Sequence, residues 1–282
     1  MNSHNREFTI TGHMVVKNED RWVWFSIMSV IDFLDKLIIF DTGSRDKTNE
    51  IIKQVLKNEA IRDKIEYQEL GSVTPEAFHK IRQKQIDMTT TDYFMVVDGD
   101  EIWYRDSLEE LGSILSEKHP DLVATRFINC CEDVFHYRND DKETYCIAGI
   151  KGSITIRVYS RTIPGICCGG VYGVEGYIDE NGNAVQEGNY HIAVQEGKYL
   201  HTSLLNRSSL QYGDYSIPYR RSKLRAHWDK KFSPDYQYPE VFYQAYPAIV
   251  RSPFEKDWNL IRTLYSIAYR CKQFFKTKWK QQ

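Results

Sequence analysis

Apolar and polar positions alternate along the first hundred residues with two different periods, and the switches between them mark out elements. Phe8 to Val16 reads as a strand. "EDRWVWFSIMSVIDFL", from Glu19 to Leu34, carries apolar residues on several faces and predicts a mostly buried helix. "KLIIFD" is a near-continuous apolar run, the pattern of a strand covered on both sides in a parallel sheet. The following "TGSRDKTNEIIKQVLKNEA" sets Ile51, Ile52, Val55 and Leu56 on one stripe, with Ser44 or Asp46 available to cap the helix. "KIEYQEL" predicts a third strand, "TPEAFHKIRQKQIDM" a third helix opened by Pro75, and "DYFMVVD" a fourth strand. Strand and helix in strict succession imply βαβ units, and so an α/β fold with an open, mostly parallel sheet covered by helices on both faces.

That architecture gives the polar clusters a location. Ligands bind beyond the carboxyl ends of strands in open α/β sheets. "KNED", "DTGSRD" and "DGDE" follow the first, second and fourth strands, so acids from three separate stretches converge on one crevice. Read as a continuation of the fourth strand, Asp98 and Asp100 point to one side with their Cα atoms about 7 Å apart, and Gly99 points away. Two carboxylates that close favour a cation between them. Their oxygens suit Mg²⁺ or Mn²⁺ bound together with substrate phosphates, one aspartate gripping the metal and the other reaching it through water or touching a ribose. Gly99 lets the strand end bend and a nucleotide approach the backbone.

Composition narrows the setting. With 282 residues and 41% hydrophobic positions the chain can bury a sizeable core, and its formal net charge of −2 gives no reason to expect a nucleic-acid partner. "MNSHNREFTITGH" lacks the apolar segment of a signal peptide, and no stretch has the roughly 18 apolar residues of a membrane span. A cytoplasmic location is expected. The six cysteines, none in a C-x-x-C spacing, then read as free thiols, and the sequon at Asn206 as idle.

"VVKNEDRW", "IIFDTGSRDKT" and "YFMVVDGDEIW", in this order and at these spacings, resemble the inverting glycosyltransferases of family 2, which have the GT-A (Rossmann-like) fold. The likeness is clear over residues 8–105 and fainter to about 210. It implies a domain over 1–210, with a nucleotide-binding half at about 8–105 and an acceptor half at about 106–210, followed by a C-terminal helical extension over 211–282. By resemblance, Asn18 and Glu19 lie near the nucleoside, Asp41 contacts the base, and Asp98, Gly99 and Asp100 form the D-x-D site for metal and ribose. "FHKIRQKQI" stands where relatives often carry a phosphate-binding arginine, which makes Arg82 the match. Asp46 is expected to cap a helix rather than to catalyse.

In the second half, "GSITIRVYSR" resembles the family's "R-[IL]-[FY]" strand. "GGVYGVEGYID" lies where many relatives have "V-H-E", with Val174 in place of the histidine; Glu175 keeps the acid and is the candidate general base, Asp179 the runner-up. In "KYLHTSLLNRSS", His201 matches a histidine that completes the metal shell or meets the diphosphate, and Arg207 is placed to close on the departing phosphates. The resemblance implies a nucleotide-sugar donor, UDP by family usage, Mn²⁺ or Mg²⁺ as cofactor, and a glycan, lipid-linked or lipopolysaccharide-type acceptor. From Trp258 to Gln282 there are six Lys or Arg and no acid, with Leu260, Leu264, Ile267, Cys271 and Phe274 at helical spacing. Such a basic amphipathic helix suits an anionic membrane surface, its own domain or a second subunit.

Other classes fit less well. A nucleotidyltransferase would carry a Gly-rich loop after the first strand, where "VVKNED" has none. A dehalogenase-like phosphatase places its D-x-D after the first strand, not the fourth. A sugar-nucleotide-binding protein without activity is separated only by turnover.

Overall fold

A computed structural model describes residues 6–139, 145–205 and 230–256, together with Ile267. In chain order its elements are β1 (Ile10–Val16), α1 (Val23–Val30), β2 (Lys36–Asp41), α2 (Thr48–Val55), α3 (Glu59–Arg62), β3 (Ile65–Glu69), α4 (Phe78–Met88), β4 (Tyr93–Val96), β5 (Glu101–Trp103) and α5 (Arg105–Lys118). There follow β6 (Leu122–Cys131), β7 (Asp133–Tyr137), β8 (Cys146–Ile147), β9 (Ile150–Lys151), β10 (Ile154–Ser160), β11 (Cys167–Gly169), β12 (Gly176–Ile178), β13 (Ile192–Leu204) and β14 (Lys230–Lys231).

The main sheet runs β14-β7-β6-β10-β4-β1-β2-β3, with β13 laid against β5 and β6. Its N-terminal part, β3-β2-β1-β4, is parallel throughout, as the strand-helix succession requires. β10 then enters antiparallel between β4 and β6 and joins the second half to the first. Alternation along β4 separates the two layers: Tyr93, Met95 and Val97 enter the larger core with α1 and α2, while Phe94 and Val96 enter a smaller one with Ile86 of α4. Helices therefore cover both faces, and every strand carboxyl end of the parallel part opens on the same edge.

Local details depart from the sequence reading. Pro75 opens a 3-10 turn, Pro75–Ala77, and the α-helix begins only at Phe78. No side chain caps α2 at Lys47; instead Asp46 accepts from Thr48 N (2.9 Å) and Asp20 N (3.1 Å), and Ser44 Oγ accepts from Asn18 N (2.8 Å). These residues tie the loop after β1 to the loop after β2. The D-x-D is not a strand: β4 stops at Val96, and Glu101 N donates to Asp98 O at 3.1 Å, so residues 98–101 form a turn.

The expected boundary at 210 falls within the undescribed residues 206–229. Beyond them, Phe232, Val241, Phe242 and Val250 enter the larger core, and Phe242 meets Phe25 of α1 edge-on at 5.3 Å. Among the described residues no helix is long and apolar enough to cross a membrane.

Candidate functional site

Three loops at the carboxyl ends of β1, β2 and β4 meet, and short hydroxyl side chains fix their positions. Ser26 Oγ on α1 donates to Asp98 O (2.8 Å), and Ser29 Oγ accepts from Trp103 N (3.1 Å), so one helix face holds both ends of the "DGDEIW" segment. Gly99 fits because nothing larger would: a Cβ there would stand 2.8 Å from Val16 Cγ1 and 3.2 Å from Glu19 Cγ. β13 closes the other side. It runs antiparallel to β5 with His201 opposite Glu101, and both the N–H and the hydroxyl of Thr202 donate to Asp100 O, at 2.9 and 3.0 Å.

At the ends of β1 and β2, Asn18 is buried with φ 56°, a left-handed conformation asparagine tolerates better than most residues, and its Oδ1 accepts from Arg45 N at 2.7 Å. Glu19 is buried beside it. Asp41 Oδ1 accepts from Gly43 N and Ser44 N at 2.9 and 2.8 Å, while its buried Oδ2 has no hydrogen-bond partner among the described residues. A buried acceptor left open at a strand end fits a donor on a ligand, such as a base N–H.

Asp98 lies between two arginines. Its Oδ1 accepts from Arg82 Nη2 at 2.6 Å, and Oδ2 stands 3.5 Å from Arg157 Nη1. Burial alone would raise the Asp98 pKa, but Arg82 and Arg157 outweigh it and hold the carboxyl at about 2. Burial likewise works against the charge on Arg82, and Asp98 reverses the balance. Arg157 also donates to Tyr199 OH (3.0 Å) and pairs with Glu101, a wholly buried carboxylate.

Asp100 Oδ2 stands 3.5 Å from His201 Nε2, so the carboxylate and the imidazole face one spot. This oxygen-plus-nitrogen pair fits Mn²⁺ or Mg²⁺ as part of a shell finished by phosphate oxygens and water. Among the described residues no group of three or more His, Cys, Asp or Glu is arranged to hold a metal by itself.

Glu175 precedes β12 and accepts from Gly173 N. Burial raises its pKa against that hydrogen bond and Arg82, and Asp98 adds to the rise, so the carboxyl lies within the electrostatic reach of the D-x-D. Asp179 is engaged differently. It accepts from Asn183 N (3.0 Å), Asn181 N (2.9 Å) and Tyr190 OH (3.1 Å), and the Asn183 bond leads in lowering its pKa. It organises its own turn. Arg207 lies outside the described residues, as does 258–282 apart from Ile267.

Residue-by-residue reading missed Arg157, Glu101 and Tyr199. The signal was present in "RVY" and in the acid after "DGD", but only the β10–β4 and β13–β5 pairings bring them to Asp98.

The sequence profile of the family described as "Glycosyl transferase family 2" matches residues 13–180, more than half of the chain. The chain belongs to glycosyl transferase family 2. The loops after β1, β2 and β4 at the acid-lined edge of the parallel sheet lie within the matched span. No curated protein matches the sequence. Among solved structures, S. aureus TarS 1-349 is 14% identical with TM-score 0.44, covering 77% of this chain and 63% of that one. A mannosyltransferase from Pyrobaculum calidifontis, in complex with GDP-Man and Mn²⁺, is 12% identical with TM-score 0.46, covering 71% and 58%. Glucosyl-3-phosphoglycerate synthase from Mycobacterium tuberculosis, with Mn²⁺ and UDP-glucose, is 20% identical with TM-score 0.33, covering 43% and 44%. This family 2 chain thus spans less than two thirds of each of these structures.

Proposed function

We propose that the protein is a metal-dependent, inverting glycosyltransferase that moves a sugar from a nucleotide-sugar, UDP-linked, to a saccharide-bearing acceptor, a glycan or a lipid-linked sugar. The observation that carries the reading is the meeting of Asp98, Asp100, His201 and Arg82 around one turn at the carboxyl edge of the parallel strands. Asn18, Glu19 and Asp41 take the nucleoside, with the open Asp41 Oδ2 as acceptor for the base. Asp100 and His201 hold Mn²⁺ or Mg²⁺, which when bound offsets negative charge on the leaving diphosphate. Arg82 and Arg157 hold the diphosphate oxygens as they gain charge. Glu175 accepts the proton of the acceptor hydroxyl while that oxygen bonds to the anomeric carbon and the carbon–oxygen bond to phosphate breaks. One displacement inverts the centre, so an α-linked donor yields a β-linked product. The reading places the enzyme in the cytoplasm, with residues 258–282, six cations and no acid, against an anionic membrane surface.

The test is release of nucleotide from UDP-, GDP- and dTDP-sugars with Mn²⁺ or with EDTA, on wild type, Asp100→Ala and Glu175→Gln, with nucleotide binding measured alongside. The expected outcome is Mn²⁺-dependent turnover of a UDP-sugar, lost in Asp100→Ala. Glu175→Gln should lose transfer while nucleotide affinity stays within a few-fold. Binding of no nucleotide, with or without metal, overturns the reading; unchanged turnover in Glu175→Gln removes Glu175 as the base.

A further inference from the structure

Arg157 is the residue at which β10 falls out of step with β6. Ile156 pairs with Ala124 and Val158 with Val123, so Arg157 is an extra residue without a partner on β6, as at a β-bulge. Bulges re-aim side chains, and this one brings a guanidinium to the D-x-D turn.

The edges of that guanidinium are engaged to different degrees. Nε donates to Tyr199 OH at 3.0 Å, and Nη2 pairs with Glu101 Oε1. Nη1 has only an ion-pair contact among the described residues, with Asp98 Oδ2 at 3.5 Å. Exposure runs the same way: the Glu101 side chain is 0% exposed, that of Arg157 12% and that of Asp98 31%. Glu101 and Tyr199 therefore grip the inner edges, and Nη1 is the end toward the open, acid-lined edge of the sheet.

The grips are themselves fixed. Glu101 Oε2 accepts from Asp98 N at 3.3 Å, which ties the carboxylate to the start of the turn. The Tyr199 ring is buried, stacked on Trp103 at 4.9 Å and on Phe127 at 5.6 Å. Tyr199 and His201 are two apart on β13, so one strand supports Arg157 and places the imidazole beside Asp100. Burying a carboxylate as completely as Glu101 is costly, and an apolar pair of similar volume would serve the core at least as well. A stabilising role does not account for the pair; the need to hold a guanidinium at this point does.

We propose that Glu101 and Tyr199 are positioning residues for Arg157: they hold two of its edges so that Nη1 meets the diphosphate of the donor. Both are wholly buried and act through Arg157 without touching the ligand. The proposal rests on the glycosyl-transfer reading and adds to it the residues that set the grip on the leaving group. A guanidinium held on two edges loses little freedom when the diphosphate arrives, and it stays aimed as charge builds on the departing oxygen.

The experiment is a pair of double-mutant cycles on the full-length protein. They are read by calorimetric titration with UDP, GDP and dTDP in Mn²⁺, and by steady-state cleavage of the matching nucleotide-sugar. Arg157→Lys keeps the charge but cannot be gripped on two edges. Glu101→Gln leaves one acceptor for two N–H groups, and Tyr199→Phe loses the hydroxyl while keeping the stacked ring. Affinity for the nucleotide that wild type binds should fall roughly tenfold in Arg157→Lys and Glu101→Gln, and a few-fold in Tyr199→Phe. kcat should fall by similar factors with donor KM within about threefold, because the grip matters most once the leaving group has gained charge. On the Arg157→Lys background, Glu101→Gln and Tyr199→Phe should each add less than about twofold. Effects that multiply in the double variants overturn the proposal, as do single variants that bind nucleotide like wild type and lose only unfolding midpoint. If Glu101→Gln does not fold, the Tyr199→Phe cycle decides by the same criteria. Wild type that binds none of the nucleotides strikes the glycosyl-transfer reading, whereas cycles that fail in a wild type that binds one strike only the role of Glu101 and Tyr199.

Discussion

Asp98 concentrates the electrostatics of the site in one side chain. Its carboxyl is held at about 2 against burial by Arg82 and Arg157, below the roughly 3.9 of an unfolded aspartate. A depressed folded pKa adds stability that is fully present above the unfolded value and is lost as pH falls through the folded one. Between about pH 4 and pH 2 the protein should therefore lose up to about 2 kcal/mol from this group alone. Urea unfolding of wild type and Asp98→Asn across that window checks it: the gap between them should close as pH falls, and a gap constant from pH 5 to pH 2 would refute the assignment. Asp98 was legible in the sequence through "DGD", but its two arginines were not equally so. Arg82 came from a resemblance, while Arg157 needed β10 to be placed beside β4.

At the scale of elements, helix interiors followed the pattern of apolar positions and helix ends did not. The stripe of Ile51, Ile52 and Val55 is buried as expected and Asp46 Oδ1 accepts from Thr48 N at the start of α2, yet Ser44 and the second oxygen of Asp46 serve loop-to-loop contacts. Hydroxyls and carboxylates accept from any nearby N–H, and which one comes near is a tertiary matter. The end of α5 shows a local rule broken at some cost: its cap, His119, is exposed and left-handed at φ 42°, where glycine is the usual residue, and Pro120 follows. His119→Gly should raise stability by about 0.5–1 kcal/mol with nucleotide affinity unchanged. Thermal unfolding decides it, and a drop in midpoint would mean the imidazole makes a contact worth more than the strain.

For the whole molecule, the parallel half, its crevice and the association of residues 230–256 with the larger core define how the acid-lined edge is backed. The basic stretch 258–282 has its own test. Deleting it should remove sedimentation with anionic liposomes while leaving nucleotide binding within a few-fold, and unchanged sedimentation would exclude it as the membrane contact. By itself the sequence determined the strand and helix succession, the parallel sheet and the three acidic loops at its edge. Those follow from hydrophobic period and from the rule that consecutive βαβ units place strand ends together. Only the tertiary structure decided that Asp98 and Asp100 sit on a turn rather than a strand, that Arg157 and Glu101 complete the network, and that His201 faces Asp100. Apart from the turn, these contacts join residues tens of positions apart through strand pairings, antiparallel except for β6 with β13. No periodicity encodes such pairings, because they depend on which strand edges remain open once the parallel core has formed.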